Sequence, residues 1–166
     1  MSFVFSVIVA AYTCRMLAKF DIGGVYSNYL RAALYLLLFA LWGVALDRRI
    51  IKKPVLHCLR LTAALMLLWL TLRTLKYEVV TDPTVMRYVW YFYYLPMLFI
   101  PLLGVYIALS LGQPERYRIT GKSATLVIFP TVLFLFVITN DLHQQVFAFQ
   151  GGFLDGGVYT HRPLYF

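Results

Sequence analysis

Charge is what this chain has least of. Only 13% of its 166 residues are Asp, Glu, Lys or Arg, and seven of them are acidic. A soluble domain carries about 25% charged residues and is about 45–50% apolar. Here 61% are hydrophobic and 17% aromatic. A small soluble domain cannot hide that much, because small domains bury the smallest share of their surface. A disordered chain is excluded for the opposite reason, since disorder goes with low hydrophobicity. Cysteine is scarce too. Cys14 and Cys58 lie in different segments with no CxxC or Cys/His spacing, which argues against a disulfide scaffold and a zinc site. GxSxG and HExxH are missing, and no nucleophile with a base partner is evident. No catalytic residue, metal or cofactor is expected, and the chain as it stands is not expected to be an enzyme. Internal repeats and low-complexity linkers are absent as well.

What is present is long apolar runs, with a mean hydropathy of +0.75. A bilayer span takes about 20 mostly apolar residues. Tyr88–Gln113 and Ser123–Asn140 carry no charge at all. Asn28–Leu46 has one, Arg31, near its start, and Pro54–Leu72 has Arg60 near one end, where it can snorkel to the headgroups. These four are read as spans of an all-α, multi-pass transmembrane bundle. The apolar part of the first stretch, Phe3–Tyr12, is short and lacks the features of a signal peptide. It reads as a short fifth span, an interfacial helix or an anchor, with a membrane-embedded helix preferred. The chain thus divides into an N-terminal apolar segment (1–27), a helical membrane domain (28–150) and a loop (151–166). The Gly-rich stretch 151–157 reads as flexible, and Tyr165-Phe166 as the start of a further, truncated helix, so a fragment is expected.

The net charge of +8 is clustered between the apolar runs. That is the pattern of the positive-inside rule, so the charge reads as topology and lipid contact rather than nucleic-acid binding. Arg48, Arg49, Lys52 and Lys53, with Arg60, form one cluster, and Arg116, Arg118 and Lys122 form the other. Both fall on one face, which is assigned to the cytoplasm. The opposite face has Arg73, Lys76, Arg87 and Arg162, together with Glu78, Asp82 and Asp141; Arg15, Lys19 and Arg31 run against the rule.

Three features stand out chemically. Pro96, Pro101 and Pro130 lie inside apolar runs, where each deletes a helical hydrogen bond and reads as a kink. The run Trp90-Tyr91-Phe92-Tyr93-Tyr94 reads either as an interfacial aromatic belt or as the wall of an outward-facing ligand pocket. The polar cluster from Thr139 to Gln145 ends the last span. If the helix continues, Asn140, His143 and Gln144 share one face, and Asp141 and Gln145 another. Asp141 and His143 then point about 200° apart and cannot act as one acid/base pair. The cluster reads as a hydrated helix end or as a binding site. His57 is read as an interfacial histidine.

The order of these pieces resembles a family. Trp90 to Leu103, with Pro96 and Pro101, is followed by Leu109-Ser110-Leu111-Gly112 and a basic loop. Then comes Ile128-Phe129-Pro130, leading to Thr139-Asn140-Asp141-Leu142-His143. This is similar to the N-terminal seven-helix sensor region of bacterial membrane histidine kinases, over about residues 28–150. The resemblance implies that Asn28–Leu46, Pro54–Leu75, Tyr88–Leu111 and Ser123–Asn140 are the family's helices one to four, with Thr139-Asn140 and His143 outside the cell. Three of the family's helices, the phosphoacceptor box and the ATP-binding segment have no counterpart in this sequence.

The leading reading is therefore a sensor, or signal-input, domain in the cytoplasmic membrane of a bacterium. Its ligand would be an extracytoplasmic or lipid-borne cue, held by Asn140, Asp141, His143 and Gln144 with Trp90, Tyr93 and Tyr94 as aromatic wall. A homodimer or an output module would be its partner. The alternatives are a small membrane enzyme or transporter, and a structural partner packing through Gly104 and Ala108. Under the leading reading, His143→Ala is expected to abolish the response to the cue while folded protein stays at the wild-type level in a membrane fraction.

Overall fold

A computed structural model describes residues 5–6, 8–10, 12–13, 16, 24–46, 52–111, 113, 121–149 and 159–163. Arg48, Arg49, Arg116 and Arg118 lie outside the described residues, as does the side chain of Lys122. The described residues of the first stretch are helical, and Thr13 Oγ1 donates to Val9 O at 2.8 Å, a bond along a helix turn.

Helix α1 spans Gly24–Leu46 and α2 spans Lys53–Thr74. The end of α2 widens into a π turn, Leu75–Val79, closed by Val80 N–H on Leu75 O at 2.8 Å. Asp82 then starts α3 (Pro83–Phe92), its carboxylate accepting from Thr84 N at 2.8 Å and Val85 N at 3.0 Å. A turn at Tyr93 leads into α4 (Tyr94–Leu111). A 3-10 segment, Gly121–Val127, runs into α5 (Ile128–Ile138), and a single turn, α6 (Asn140–His143), follows. Strands β1 (Phe147–Phe149) and β2 (Tyr159–His161) pair antiparallel, with Phe147 opposite His161.

Three helical stretches are long and apolar enough to cross a membrane: Tyr29–Leu46, Lys53–Val79 and Pro83–Leu111. The fourth expected span, Ser123–Asn140, is a shorter apolar helix, Ser123–Ile138. It stops early because the backbone leaves helical geometry at Thr139 (φ −89°, ψ 8°).

The prolines explain where helices begin. Pro83 is the first residue of α3, Pro54 the second of α2, and Pro96 and Pro130 the third of α4 and α5. Amide groups in a first turn have no partner within the helix, so proline is tolerated there. Pro96 and Pro130 each lie one turn beyond a local change of helical geometry, at Tyr93 and at the junction of the 3-10 segment with α5, within the helical stretches Pro83–Leu111 and Ser123–Ile138. Pro101 lies inside α4.

α2 packs against both α1 and α4, and α4 also meets α5. α1 and α2 come close at Gly43, where a Cβ would meet that of Ala63 at 3.4 Å, in van der Waals contact. One cluster of buried side chains, Cys58, Leu103 and Tyr106, joins α2 to α4. Tyr106 Oη donates to Ser123 O at 2.9 Å, and Ser110 Oγ donates to Tyr106 O at 2.7 Å. At the same end Lys52 Nζ donates to Leu111 O (3.0 Å) and Gln113 O (3.3 Å), closing carbonyls that the end of α4 leaves open. Lys52 is thereby held against the end of α4.

Gly43→Leu should force α1 away from α2 and lower the unfolding free energy in detergent by roughly 1–3 kcal/mol. Gly104→Ala, where a Cβ would meet nothing within 4 Å, should stay within about 0.5 kcal/mol of wild type. Denaturant titration followed by circular dichroism measures both.

Candidate functional site

At the other end of the molecule the break after α5 sets up a polar junction. Thr139 Oγ1 donates back to Leu135 O at 2.7 Å, and the following turn aims Asn140 inward, where it is fully buried. Its carboxamide makes four hydrogen bonds. Oδ1 accepts from the amides of Val146 (3.1 Å) and Phe147 (3.0 Å). Nδ2 donates to Phe147 O (2.9 Å) and Tyr91 Oη (3.3 Å). Two acceptor sites and two donor hydrogens are all that an Asn side chain has.

Tyr91 carries the network on. Its hydroxyl donates to Asp141 Oδ1 at 2.7 Å, and Asp141 Oδ2 pairs with Arg87 Nη2 at 3.0 Å. Arg87 and Tyr91 are one turn apart on α3 and present one face to Asp141. Both members of the ion pair are about three-quarters buried, with 24% and 23% of their side-chain surface exposed. The single turn α6 is thus bound to α3 by a charge pair and two side-chain hydrogen bonds.

The apolar half of the junction is aromatic. Phe147 is fully buried, 4.7 Å from the Trp90 ring centroid and 5.6 Å from that of Tyr94. It also stacks on Tyr91 with rings 13° apart. Val137 and Val146 complete this second core, with Leu98, Phe134 and Phe149 around it. Trp90 and Tyr94, expected as a ligand wall, hold the chain's own Phe147. Tyr93 instead faces Lys76, whose ammonium lies 5.1–5.7 Å from the ring centroids of Tyr77, Trp90 and Tyr93. Such placement is a cation–π arrangement.

The expected sharing of a helix face does not hold. The helix does not run on through Gln144, which adopts the left-handed conformation (φ 49°, ψ 35°) and closes the turn with its amide on Asn140 O at 2.7 Å. Asn140 therefore turns into the core while Gln144 stays exposed. His143 Nδ1 accepts from Gln145 N at 3.0 Å, which places the proton of the neutral ring on Nε2. That nitrogen faces Thr139 Oγ1 at 3.3 Å. Asp141 and His143 serve different partners. Outside the junction, Asp141, Leu142, His143, Gln144, Gln145 and Arg162 line a shallow polar cleft of about 400 Å³. Among the described residues no three His, Cys, Asp or Glu side chains gather as a metal site would need.

Arg87 and Tyr91 entered the sequence reading only as an outer-face charge and a member of the aromatic run, and Val146 and Phe147 did not enter it at all. The i, i+4 spacing of Arg87 and Tyr91 was a usable signal. The alternation Phe147-Ala148-Phe149 just beyond the polar cluster was another.

No protein-family model matches this chain, and neither a curated protein nor a solved structure matches it.

Asn140→Ala strands the amides of Val146 and Phe147 and the carbonyl of Phe147 in a buried setting. It should cost roughly 3 kcal/mol of unfolding free energy. Asp141→Asn, which keeps a side-chain oxygen near Tyr91 Oη, should cost less, about 1 kcal/mol. Reversible denaturation of the detergent-solubilised protein reads both values.

Proposed function

We propose that this chain is a membrane-embedded signal-input domain whose moving part is the β1–β2 hairpin. The observation that carries the reading is the fully buried Asn140, which from α6 ties the start of the hairpin's first strand to the end of α3 by side-chain hydrogen bonds. One polar residue and one aromatic plug, Phe147, hold a short two-stranded sheet. Isolated hairpins are marginal, so docking is sensitive to anything that competes for the notch. Packed junctions of this kind switch between discrete arrangements instead of deforming smoothly.

In the docked state Asn140 clamps the strand, Asp141 fastens α6 to Arg87 and Tyr91, and His143 and Gln144 shape the turn. Trp90 and Tyr94 form the notch that Phe147 fills. A cue that displaces Phe147, or neutralises the Arg87–Asp141 pair, releases the hairpin and changes the packing of α3 and α4. This is how we assign ligand response to the residues around Asn140.

A fourth crossing by Ser123–Ile138 is part of the reading. A 3-10 helix rises about 2.0 Å per residue against about 1.5 Å in an α-helix. The 3-10 start stretches these residues to about 27 Å, close to the roughly 30 Å of a hydrocarbon core. Lys52 beside the end of α4 favours placing both basic loops in the cytoplasm. The likeness of Thr139-Asn140 and His143 to the sensor region of bacterial histidine kinases agrees with a bacterial cytoplasmic membrane and an output module on another segment or chain.

Spin labels at the exposed positions Thr84 and Thr160, in a background lacking Cys14 and Cys58, report the docking distance in proteoliposomes. Wild type should give a short distance with a minor longer one whose share changes with external salt or lipid. Asn140→Ala should raise the longer population severalfold. One unchanging distance in both proteins would overturn the reading.

A further inference from the structure

Arg31 on α1 and Arg73 on α2 lie on helices that are long and apolar enough to cross a membrane. A cation in such a segment is costly unless it reaches the interface, pairs, or meets a ligand. Arg31 is near the start of α1 and Arg73 near the end of α2, and these ends are held together, since Tyr29 Oη donates to Glu78 O at 2.8 Å. Between them opens a cleft of about 400 Å³. Arg31, Tyr35, Arg73, Thr74, Tyr77 and Glu78 supply its polar lining. The volume is at the small-ligand end of the usual range.

The lining has a pattern. Arg31 and Tyr35 are four apart on α1, and Arg73 and Tyr77 are four apart on the α2–π turn stretch. Each wall therefore offers a guanidinium and a phenol one turn further on. The π turn falls at Leu75–Val79, under Tyr77 and Glu78. Single π turns inside helices occur frequently at functional sites. Two guanidiniums against one carboxylate among its lining side chains make the cleft net positive. Thr74 Oγ1 already donates to Leu70 O at 3.0 Å, whereas each guanidinium carries five N–H donors and can serve several acceptors at once.

Guanidinium groups on opposite walls suit an anion whose oxygens point in several directions. A carboxylate offers two coplanar oxygens and is satisfied by one fork, whereas a tetrahedral phosphate can engage two. We propose that this cleft binds a phosphate group at the membrane boundary, either the phosphodiester of an anionic lipid headgroup or a free phosphate monoester. The site is separate from the hairpin junction and does not rest on the signal-input reading.

The test is thermal unfolding of the full chain in a neutral detergent, titrated separately with phosphatidylglycerol and with glycerol phosphate. A saturable rise in Tm with phosphatidylglycerol alone identifies a lipid headgroup, and a rise with glycerol phosphate identifies a soluble phosphate. Either supports the site, provided that Arg31→Gln/Arg73→Gln weakens the apparent affinity about tenfold or more. Arg31→Lys/Arg73→Lys should fall between that double variant and wild type, and Glu78→Gln should bind severalfold tighter than wild type. No saturable shift with either probe overturns the proposal, as does an equal shift in the glutamine double variant. Should that variant fail to fold, unchanged affinity in Glu78→Gln overturns it.

Discussion

The carboxamide of Asn140 is the contact on which this end of the molecule is built. It is fully buried, and its four hydrogen bonds reach two amides, one carbonyl and one phenol. Buried polar groups without partners cost about 1–3 kcal/mol each, so the geometry around Asn140 is strongly specified. The two accepted amides orient Val146 and Phe147, and the donated bond holds the Phe147 carbonyl. With the backbone so aligned, the Phe147 ring enters the notch between Trp90 and Tyr94, and β1 begins where β2 can pair with it.

The rest of the architecture makes room for that contact. The chain turns at Tyr93, with its amide on Trp90 O at 3.0 Å, and Pro96 then falls in the first turn of α4. The turn separates α3, which carries Arg87 and Tyr91 to the junction, from α4, which carries Tyr94. A second interruption at Thr139 lets α6 diverge from α5. At the opposite end the contacts are simpler: Lys52 on the last carbonyls of α4, Tyr106 on Ser123 O, and an apolar core through Cys58 and Leu103. One end is thus joined by helix packing and carbonyl capping, the other by a polar network around a plug.

The membrane-crossing helices were legible because hydropathy is additive along the chain and needs no tertiary information. The boundaries of α1 and α2 fall close to those expected. The prolines were legible as helix disturbers. Proline deletes the bond to the residue four before it, so Pro96 acts at Phe92, next to the interruption at Tyr93. The polar cluster was legible as a cluster and not as a geometry. Its face assignment assumed an unbroken helix, and a left-handed Gln144 removes that assumption.

Composition and periodicity alone decided that the chain is helical and apolar enough for a membrane, where its basic residues cluster, and which stretch collects unusual polarity. These are properties of single residues and near neighbours. Only the tertiary structure decided that Asn140 faces inward, that Tyr91 joins it to Asp141, and that Trp90 and Tyr94 hold Phe147. It alone brought Arg31 and Arg73 to one cleft. Each of those pairings joins residues about 40 to 60 positions apart or depends on a backbone reversal, apart from the shorter reach between Asn140 and β1. The free energy that selects them is the satisfaction of buried polar groups and the filling of an aromatic notch, and neither is written in any local pattern.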